Sequence, residues 1–451
     1  MSEWRTVRLH HLLAEPLRNG RSVPTVALAA KGFPVLRLTA IRDGTVDLRE
    51  RKSGAWSSSE AWPFLVCRGD FLIARGNGSL SLVGRGALVR HEPDAVAFPD
   101  TMIRARPDLA KVIPEYLSLQ WAADGVRHQV EAMARTSAGI FKVNQRALEQ
   151  VELRVPSVAE QRRIVAILEE HLSSLDAADA SLAAARRRLA VLRERTARDA
   201  LVGAAEPRRR PGKLAQAGTS DGGLPSLPEG WAWSRLGGVA EVVGGVTKDA
   251  KKQSDTSVPE VPYLRVANVQ RGRLDLRQVA TIRVAPAKVK ALALLPGDVL
   301  LNEGGDRDKL ARGWVWEGQI DGCIHQNHVF RARITDDRID PYFLSWTANT
   351  FGGKWAERNG KQSVNLASIS LRVIRLMPVI VPPPGLAGAI AARLADDVAG
   401  FERLEYGIAA AEVRSARLRR AVLAAAFSGR LSGRSSDTEL VAELASQTPN
   451  S

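Results

Sequence analysis

Apolar and polar positions follow two different rhythms along this 451-residue chain. In residues 1–157, short β-type runs such as Val35-Leu-Arg-Leu38, Phe71-Leu-Ile73 and Ala87-Leu-Val89 are separated by Gly-rich turns. Stretches 114–121 and 126–134 carry short-helix patterns, and Val151-Glu-Leu-Arg-Val155 reads as a strand ended by Pro156. From residue 158 the period changes. Leu168, Leu175, Leu182 and Leu189 recur every seven residues, with His171, Ala178, Ala185 and Leu192 interleaved, and no Gly or Pro intervenes before Gly203. This seam predicts one helix over 158–203, about 65 Å long, whose small Ala positions let a partner helix approach closely.

The same succession then returns. Residues 204–227 form a Pro/Gly/Ser-rich linker, and 228–384 a second mixed unit with turn signals at Pro296-Gly-Asp298 and Gly304-Gly-Asp306. A second heptad helix is expected over 385–431. One column is Leu394, Phe401, Ile408, Ser415 and Val422; the other is Asp397, Leu404, Ala411, Leu418 and Ala425. Gly429 stops this helix as Gly203 stops the first. Residues 432–451 are polar and read as a flexible tail with a turn at 439–444.

The two halves are copies. Pro34-Val-Leu-Arg-Leu-Thr-Ala-Ile-Arg-Asp-Gly-Thr-Val-Asp-Leu-Arg49 returns at an offset of 228 as Pro262-Tyr-Leu-Arg-Val-Ala-Asn-Val-Gln-Arg-Gly-Arg-Leu-Asp-Leu-Arg277, and Gly69-Asp70 returns as Gly297-Asp298. An offset of 227 carries Trp4, Arg8 and Leu9 onto Trp231, Arg235 and Leu236, and Arg104-Ala-Arg106 onto Arg331-Ala-Arg333. Near-constant offsets over so long a stretch mean duplication. The expected fold class is α+β: two duplicated α/β domains, 1–157 and 228–384, separated by a long two-helix coiled coil with pseudo-two-fold symmetry. Antiparallel pairing is expected, because parallel pairing would stretch a linker of roughly 24 residues nearly to its limit.

Charge narrows the partners. The chain carries 64 Lys and Arg against 49 Asp and Glu, a net +15, with a pI near 10.3, so a polyanion is expected. Arg predominates over Lys, which suits forked contacts to phosphate and guanine edges. A two-fold chain suits duplex DNA with two half-sites. No apolar run reaches the length of a membrane span and no signal pattern opens the chain, so it reads as cytoplasmic, with no membrane partner. Cys67 and Cys323 are too few for a disulfide framework or a zinc cluster, and their apolar surroundings read as those of buried thiols.

With these motifs in order, the chain resembles the specificity (S) subunit of type I restriction-modification enzymes. Pro228-Glu-Gly-Trp-Ala-Trp-Ser-Arg-Leu236 resembles the opening of that family's target-recognition domain. Gly297-Asp-Val-Leu-Leu-Asn-Glu-Gly-Gly-Asp-Arg-Asp-Lys-Leu310 with Gly313-Trp-Val-Trp-Glu317 resembles its central loop, and His325-Gln-Asn-His-Val-Phe-Arg331 a following strand. Val155-Pro-Ser-Val-Ala-Glu-Gln-Arg-Arg-Ile-Val165 and Leu418-Arg-Arg-Ala-Val-Leu-Ala-Ala-Ala-Phe-Ser-Gly-Arg-Leu431 resemble the start and end of its helices. Two departures stand out. Gly385-Leu-Ala-Gly-Ala389 replaces the usual Ala-Glu-Gln after Pro384, and Ala74-Arg-Gly-Asn-Gly-Ser79 replaces the Gly-Gly-Asp-Arg loop in the first domain.

The resemblance implies a DNA sequence-specificity subunit for phage defence. Each domain would read one part of a bipartite double-stranded target, while two methylase (M) subunits and motor-nuclease (R) subunits assemble on the chain. It also implies no cofactor here: S-adenosylmethionine, ATP and Mg would belong to those partners. A stand-alone DNA-binding adaptor of another phage-defence system is the alternative reading.

Candidate DNA-binding residues follow from chemistry and position. Asn302, Glu303, Asp306, Arg307, Lys309 and Arg312 offer a set able to read base edges: Arg for guanine, Asn for adenine, carboxylates for cytosine amino groups. Their counterparts in the first domain are Arg75, Asn77, Ser79 and Arg85. Arg135, Thr136, Ser137 and Lys142, and equivalently Lys361, Gln362 and Ser363, lie on Gly-bearing loops suited to phosphates. The expected helix seam comprises Leu168, Leu175, Leu182, Leu189, Leu394, Phe401, Leu404, Ile408 and Leu418. No metal site is expected: His325 and His328, three apart on a strand, point to opposite faces. No complete phosphate loop, dinucleotide fingerprint or methylase motif appears, so the chain is expected to recognise while other subunits catalyse.

Overall fold

A computed structural model describes residues 4–26, 32–42, 44–137, 139–203, 209–210, 214, 218–249, 251–362, 367–431, 440–441 and 443–444. It divides into two units, residues 1–184 with 408–451, and residues 185–407. Each long helix therefore contributes one part to each unit.

The first unit is built on a six-stranded sheet in the order Arg18–Asn19, Met102–Ala105, Phe71–Ala74, Gly86–Leu88, Thr45–Val46, Ile41–Arg42. Phe71–Ala74 is buried at every position, as expected of a central strand covered on both faces. Beside it, Arg5–Arg8 pairs antiparallel with Glu152–Val155. The second unit repeats the plan. Ala240–Val243, Val329–Ile334, Val299–Asn302 and Gly313–Val315 form a four-stranded sheet, and Ala232–Arg235 pairs antiparallel with Pro378–Val381. The helices Pro114–Trp121 and Pro341–Thr347 each start at a Pro, whose fixed φ suits a first helical turn.

The first long helix runs Val158–Leu201. Ser157 opens it, its Oγ accepting from the Glu160 amide at 3.3 Å, and Gly203 closes it at φ +61°, a conformation that costs glycine little. The second runs Leu386–Phe427, with Gly429 at φ +80° beyond it. In the first unit Ile164, Val165 and Leu168 share a core with Val422, Leu423, Ala426 and Phe427, while Arg419 pairs with Asp176 and Asp179. In the second, Leu201 shares a core with Ala387, Ala391 and Leu394, while Arg193 and Glu405 stand 3.6 Å apart.

Several expectations need correction. Leu404, assigned to the seam, is 57% exposed. Two helices in contact bury only a narrow stripe, here centred on Leu394, Phe401, Ile408 and Ser415, and Leu404 lies at its border. Leu168, Leu189 and Leu394 are buried; Leu175, Leu182, Phe401, Ile408 and Leu418 are half-buried. Cys67 is exposed, because it belongs to the turn closed by its own amide on Asp70 Oδ2 at 2.9 Å and points outward; Cys323 is buried, and burial pushes its thiol up to about 12. Within the stretch read as a polar tail, Leu440, Val441 and Leu444 pack against the first unit's core. No helix among the described residues is long and apolar enough to cross a membrane.

Candidate nucleic-acid interface

In each unit the structure joins the two candidate loop segments into one small sheet. In the first, Arg135–Ser137, Ile140–Lys142 and Gly76–Asn77 form three antiparallel strands. Lys142 stands opposite both Arg135 and Gly76, and Phe141 opposite both Thr136 and Asn77. In the second, Gly304–Gly305, Ala367–Ser368 and Lys361–Gln362 form the counterpart: Ser368 opposes Gly304 and Lys361, Ala367 opposes Gly305 and Gln362. The glycines belong to this packing. A Cβ at Gly76 would lie 3.2 Å from Lys142 Cγ, and one at Gly304 3.3 Å from the Ala367 carbonyl oxygen.

In the first unit, Arg75 is fixed at the sheet's edge. Its amide donates to Thr101 O at 2.9 Å, its carbonyl accepts from the Val143 amide at 2.9 Å, and its Nη1 reaches Asp100 O at 3.4 Å. Asn77 Oδ1 accepts from the Ser79 amide at 3.1 Å, an Asx turn that shapes the loop. Arg85 donates from Nε to Ser81 O at 3.3 Å, and Arg135, Thr136 and Lys142 are exposed. The backbone of Ser137 is in the strand, but its side chain lies outside what the structure describes, as does the whole of Ser363.

The second unit carries a denser mixture of charges. Asp306, Arg307 and Asp308 are exposed; Lys309 pairs with Asp306, whose carboxyl it holds below the usual range. Arg307 donates to Glu357 O at 3.2 Å. Arg312 is half-buried, and burial lowers its pKa. Glu303 Oε2 lies 2.9 Å from His328 Nδ1, a pairing absent from the sequence reading. Arg271 also joins the loop, donating to Asn349 O at 2.5 Å and Asp308 O at 3.4 Å; its repeat counterpart, Asp43, gives no hint of this. Ala311 adopts φ +56°, uncommon outside glycine, with its amide on Asn302 O at 2.9 Å.

Among the described candidates, Asn302 is the one that burial removes from the surface. It is 0% exposed and donates from Nδ2 to Val269 O at 2.9 Å, so it braces the loop from beneath instead of facing a partner. His325 is also buried, with Nδ1 2.6 Å from Val329 O, while His328 is exposed. Among the described residues no three His, Cys, Asp or Glu side chains form a group able to hold a metal.

Fold and site together define a duplicated chain of mixed α/β units, each carrying part of two long helices and a small three-stranded sheet with basic side chains at its edge. No family model matches it. The type I restriction enzyme EcoKI specificity subunit of Escherichia coli (strain K12) is 30% identical over 177 residues, 39% of this chain and 37% of that protein. The StySPI specificity subunit of Salmonella potsdam is 25% identical over 173 residues, 38% of this chain and 37% of that one. The chain thus spans 37% of the length of each of these curated relatives. Among solved structures, a chain from work on complex assembly and conformational transition of the type I R-M system matches with a TM-score of 0.67 at 19% identity, over 95% of this chain and 98% of its own. The HsdS subunit from Thermoanaerobacter tengcongensis matches with a TM-score of 0.51 at 19% identity, over 95% and 97%. The structural likeness establishes the fold. The sequence matches make part of this chain similar to type I restriction enzyme specificity subunits.

Proposed function

We propose that the chain is the DNA sequence-specificity subunit of a type I restriction-modification complex. Residues 1–157 and 228–384 each read one part of a bipartite double-stranded target. The observation that carries this reading is the repeated three-stranded sheet: the same backbone frame presents Arg75, Arg135 and Lys142 in one copy and Arg307, Lys309 and Lys361 in the other. A shared frame with different side chains suits two half-sites of different sequence. The mixture of Arg with Glu303, Asp306 and Asp308 favours base-edge reading in the second unit, where a purely phosphate-binding surface would carry only cations.

The long helices act as spacer and scaffold. Their ion pairs and shared cores favour antiparallel pairing of the two helices. Val191, Leu192, Leu404 and Tyr406 are 50–72% exposed on these helices, a surface that suits methylase subunits. Methylation with S-adenosylmethionine, and ATP- and Mg-dependent cleavage by motor-nuclease subunits, belong to those partners.

Selection of bound duplexes from a random-sequence pool by the full chain tests the reading. It predicts two short conserved elements separated by an unselected spacer; one contiguous element, or no enrichment, would contradict it.

A further inference from the structure

The proposed reading uses the small sheets and leaves unexplained a second surface repeated in both units. In the first, the turn of helix Ser58–Ala61 runs directly into the 3-10 turn Trp62–Phe64. Trp62 is 73% exposed although it is the largest of side chains, and its mount is rigid. Ser57 and Glu60 close a reciprocal cap, with Ser57 N to Glu60 Oε2 at 3.0 Å and Glu60 N to Ser57 Oγ at 3.3 Å. Arg18 donates to the next carbonyl, Pro63 O, at 3.0 Å, and Arg104 to Leu65 O at 2.7 Å. Phe64 is stacked on Trp56 with ring centres 5.4 Å apart.

In the second unit an offset of 228 places this element on the helix Pro286–Leu292, and Trp62 on Lys290. Hydrogen bonds confirm the equivalence. Arg331, the repeat of Arg104, donates to Ala293 O at 3.3 Å, the repeat of Leu65 O, and to Ala291 O at 3.2 Å, the repeat of Pro63 O. Here the exposed charged positions are Lys288 and Lys290, and among the described residues neither ammonium is ion-paired.

Two arginines lie next to the turn that carries Trp62. Arg18 and Arg21 are exposed, Arg21 lying over Trp56 at 6.0 Å and 3.9 Å from Glu60. This segment adjoins the small sheet. Gly20 donates to Met102 O at 3.1 Å and is so close to Pro99 that a Cβ would meet its carbonyl oxygen at 2.0 Å, while Arg75 holds Asp100 and Thr101 of the same loop. An exposed tryptophan that no core needs, on a turn held by Arg18 at the Pro63 carbonyl and linked through Gly20 and Asp100 to the proposed DNA surface, suits duplex DNA, whose deoxyriboses and opened base steps offer apolar surface beside phosphates.

The geometry points to this element as a second DNA contact in each unit: Trp62 lies against a base or deoxyribose of the duplex, and Lys288 and Lys290 neutralise phosphates. The inference rests on the reading of the chain as a DNA-specificity subunit and deepens it. One copy of the element adds shape-dependent contact; the other adds salt-dependent affinity.

The test is titration of a labelled random-sequence duplex with the full chain at several salt concentrations, comparing wild type, W62A, W62F and K288Q/K290Q. W62A is expected to weaken binding roughly 5- to 100-fold with the salt slope unchanged, and W62F to retain most of the affinity. K288Q/K290Q is expected to lower the salt slope by about two units. Equal binding by all variants overturns the inference while leaving DNA recognition intact. An effect of the lysine pair alone overturns the role of Trp62, and an effect of Trp62 alone overturns that of the lysines. Failure of the wild type to bind duplex at any salt removes the functional reading, and this inference with it. Circular dichroism melts of W62A, an exposed position, establish that a loss is not unfolding.

Discussion

Arg106 grips Asp70 through two parallel hydrogen bonds, Nε to Oδ1 at 2.7 Å and Nη2 to Oδ2 at 2.9 Å. Arg333 holds Asp298 in the same way, both bonds at 2.8 Å. Asp70 and Asp298 are each 1% exposed, and each also accepts from a turn amide, Cys67 N at 2.9 Å and Leu295 N at 2.7 Å. The carboxylate therefore ties a turn to Arg106, directly after strand Met102–Ala105, in one copy and to Arg333, within strand Val329–Ile334, in the other.

Removing it should be costly. Asp70→Ala leaves the turn amide and the guanidinium without their partner. The expected loss is roughly 2–4 kcal/mol, somewhat below that for a fully buried pair because Arg106 is a third exposed. Chemical denaturation of the variant measures it; a loss below about 0.5 kcal/mol, the usual size for a surface change, would contradict this role.

Gln161 explains one departure between the two helices. It is fully buried, accepts from Ile113 N at 2.9 Å and donates to Lys111 O at 2.9 Å and Pro156 O at 3.0 Å. In the second unit Gly388 occupies the repeated place, and Asp340, repeat of Ile113, caps its helix itself, accepting from Tyr342 N at 2.8 Å and Phe343 N at 3.1 Å. Gln161→Ala should therefore cost about 1–3 kcal/mol through unpaired buried groups, and Gly388→Ala far less. Thermal melts of the two variants compare them directly.

His325 makes stability depend on pH. Burial lowers its pKa from 6.5 to about 4, with Arg331 adding to the effect, and its Nε2 is buried without a partner. The unfolded chain takes up this proton below pH 6.5 and the folded chain only near 4, so the contribution is complete above 6.5 and lost as pH falls toward 4. The loss is on the order of 3 kcal/mol. Denaturation midpoints at pH 7 and pH 4.5 should differ by less in His325→Gln than in the wild type.

Arg307 and Lys361 separate two kinds of contact. Arg307→Ala should relax preference at one or two base positions, by about 1–3 kcal/mol each. Lys361→Ala should weaken binding evenly and reduce the salt slope by about one unit. Binding to randomised sites at two salt concentrations distinguishes them. An even loss in Arg307→Ala would make the Gly304-Gly305 loop a backbone clamp.

Much of this architecture is legible in the sequence because duplication and heptads are long, regular signals. The repeat of Gly69-Asp70 and Arg104-Ala-Arg106 marks the very residues that form the buried pairs, and 114–121 is a helix as its pattern predicts. Side-chain direction is not legible in the same way. Asn302 sits in a loop of base-reading residues, yet it is the last residue of a wholly buried strand, so its amide turns inward. Leu404 fits the heptad but lies at the edge of a two-helix contact. The meeting of Gly76 with Lys142, and of Gly304 with Ser368, depends on pairing across more than sixty residues, which no local spacing encodes.

The central claim is that the two recognition domains read separate parts of one target. Exchanging residues 228–384 for the matching domain of a relative, and mapping methylated sites across the genome of a host carrying the exchanged chain, tests it most directly. The account predicts a split motif in which one half changes and the other is retained. A motif changed in both halves, or in neither, would contradict it.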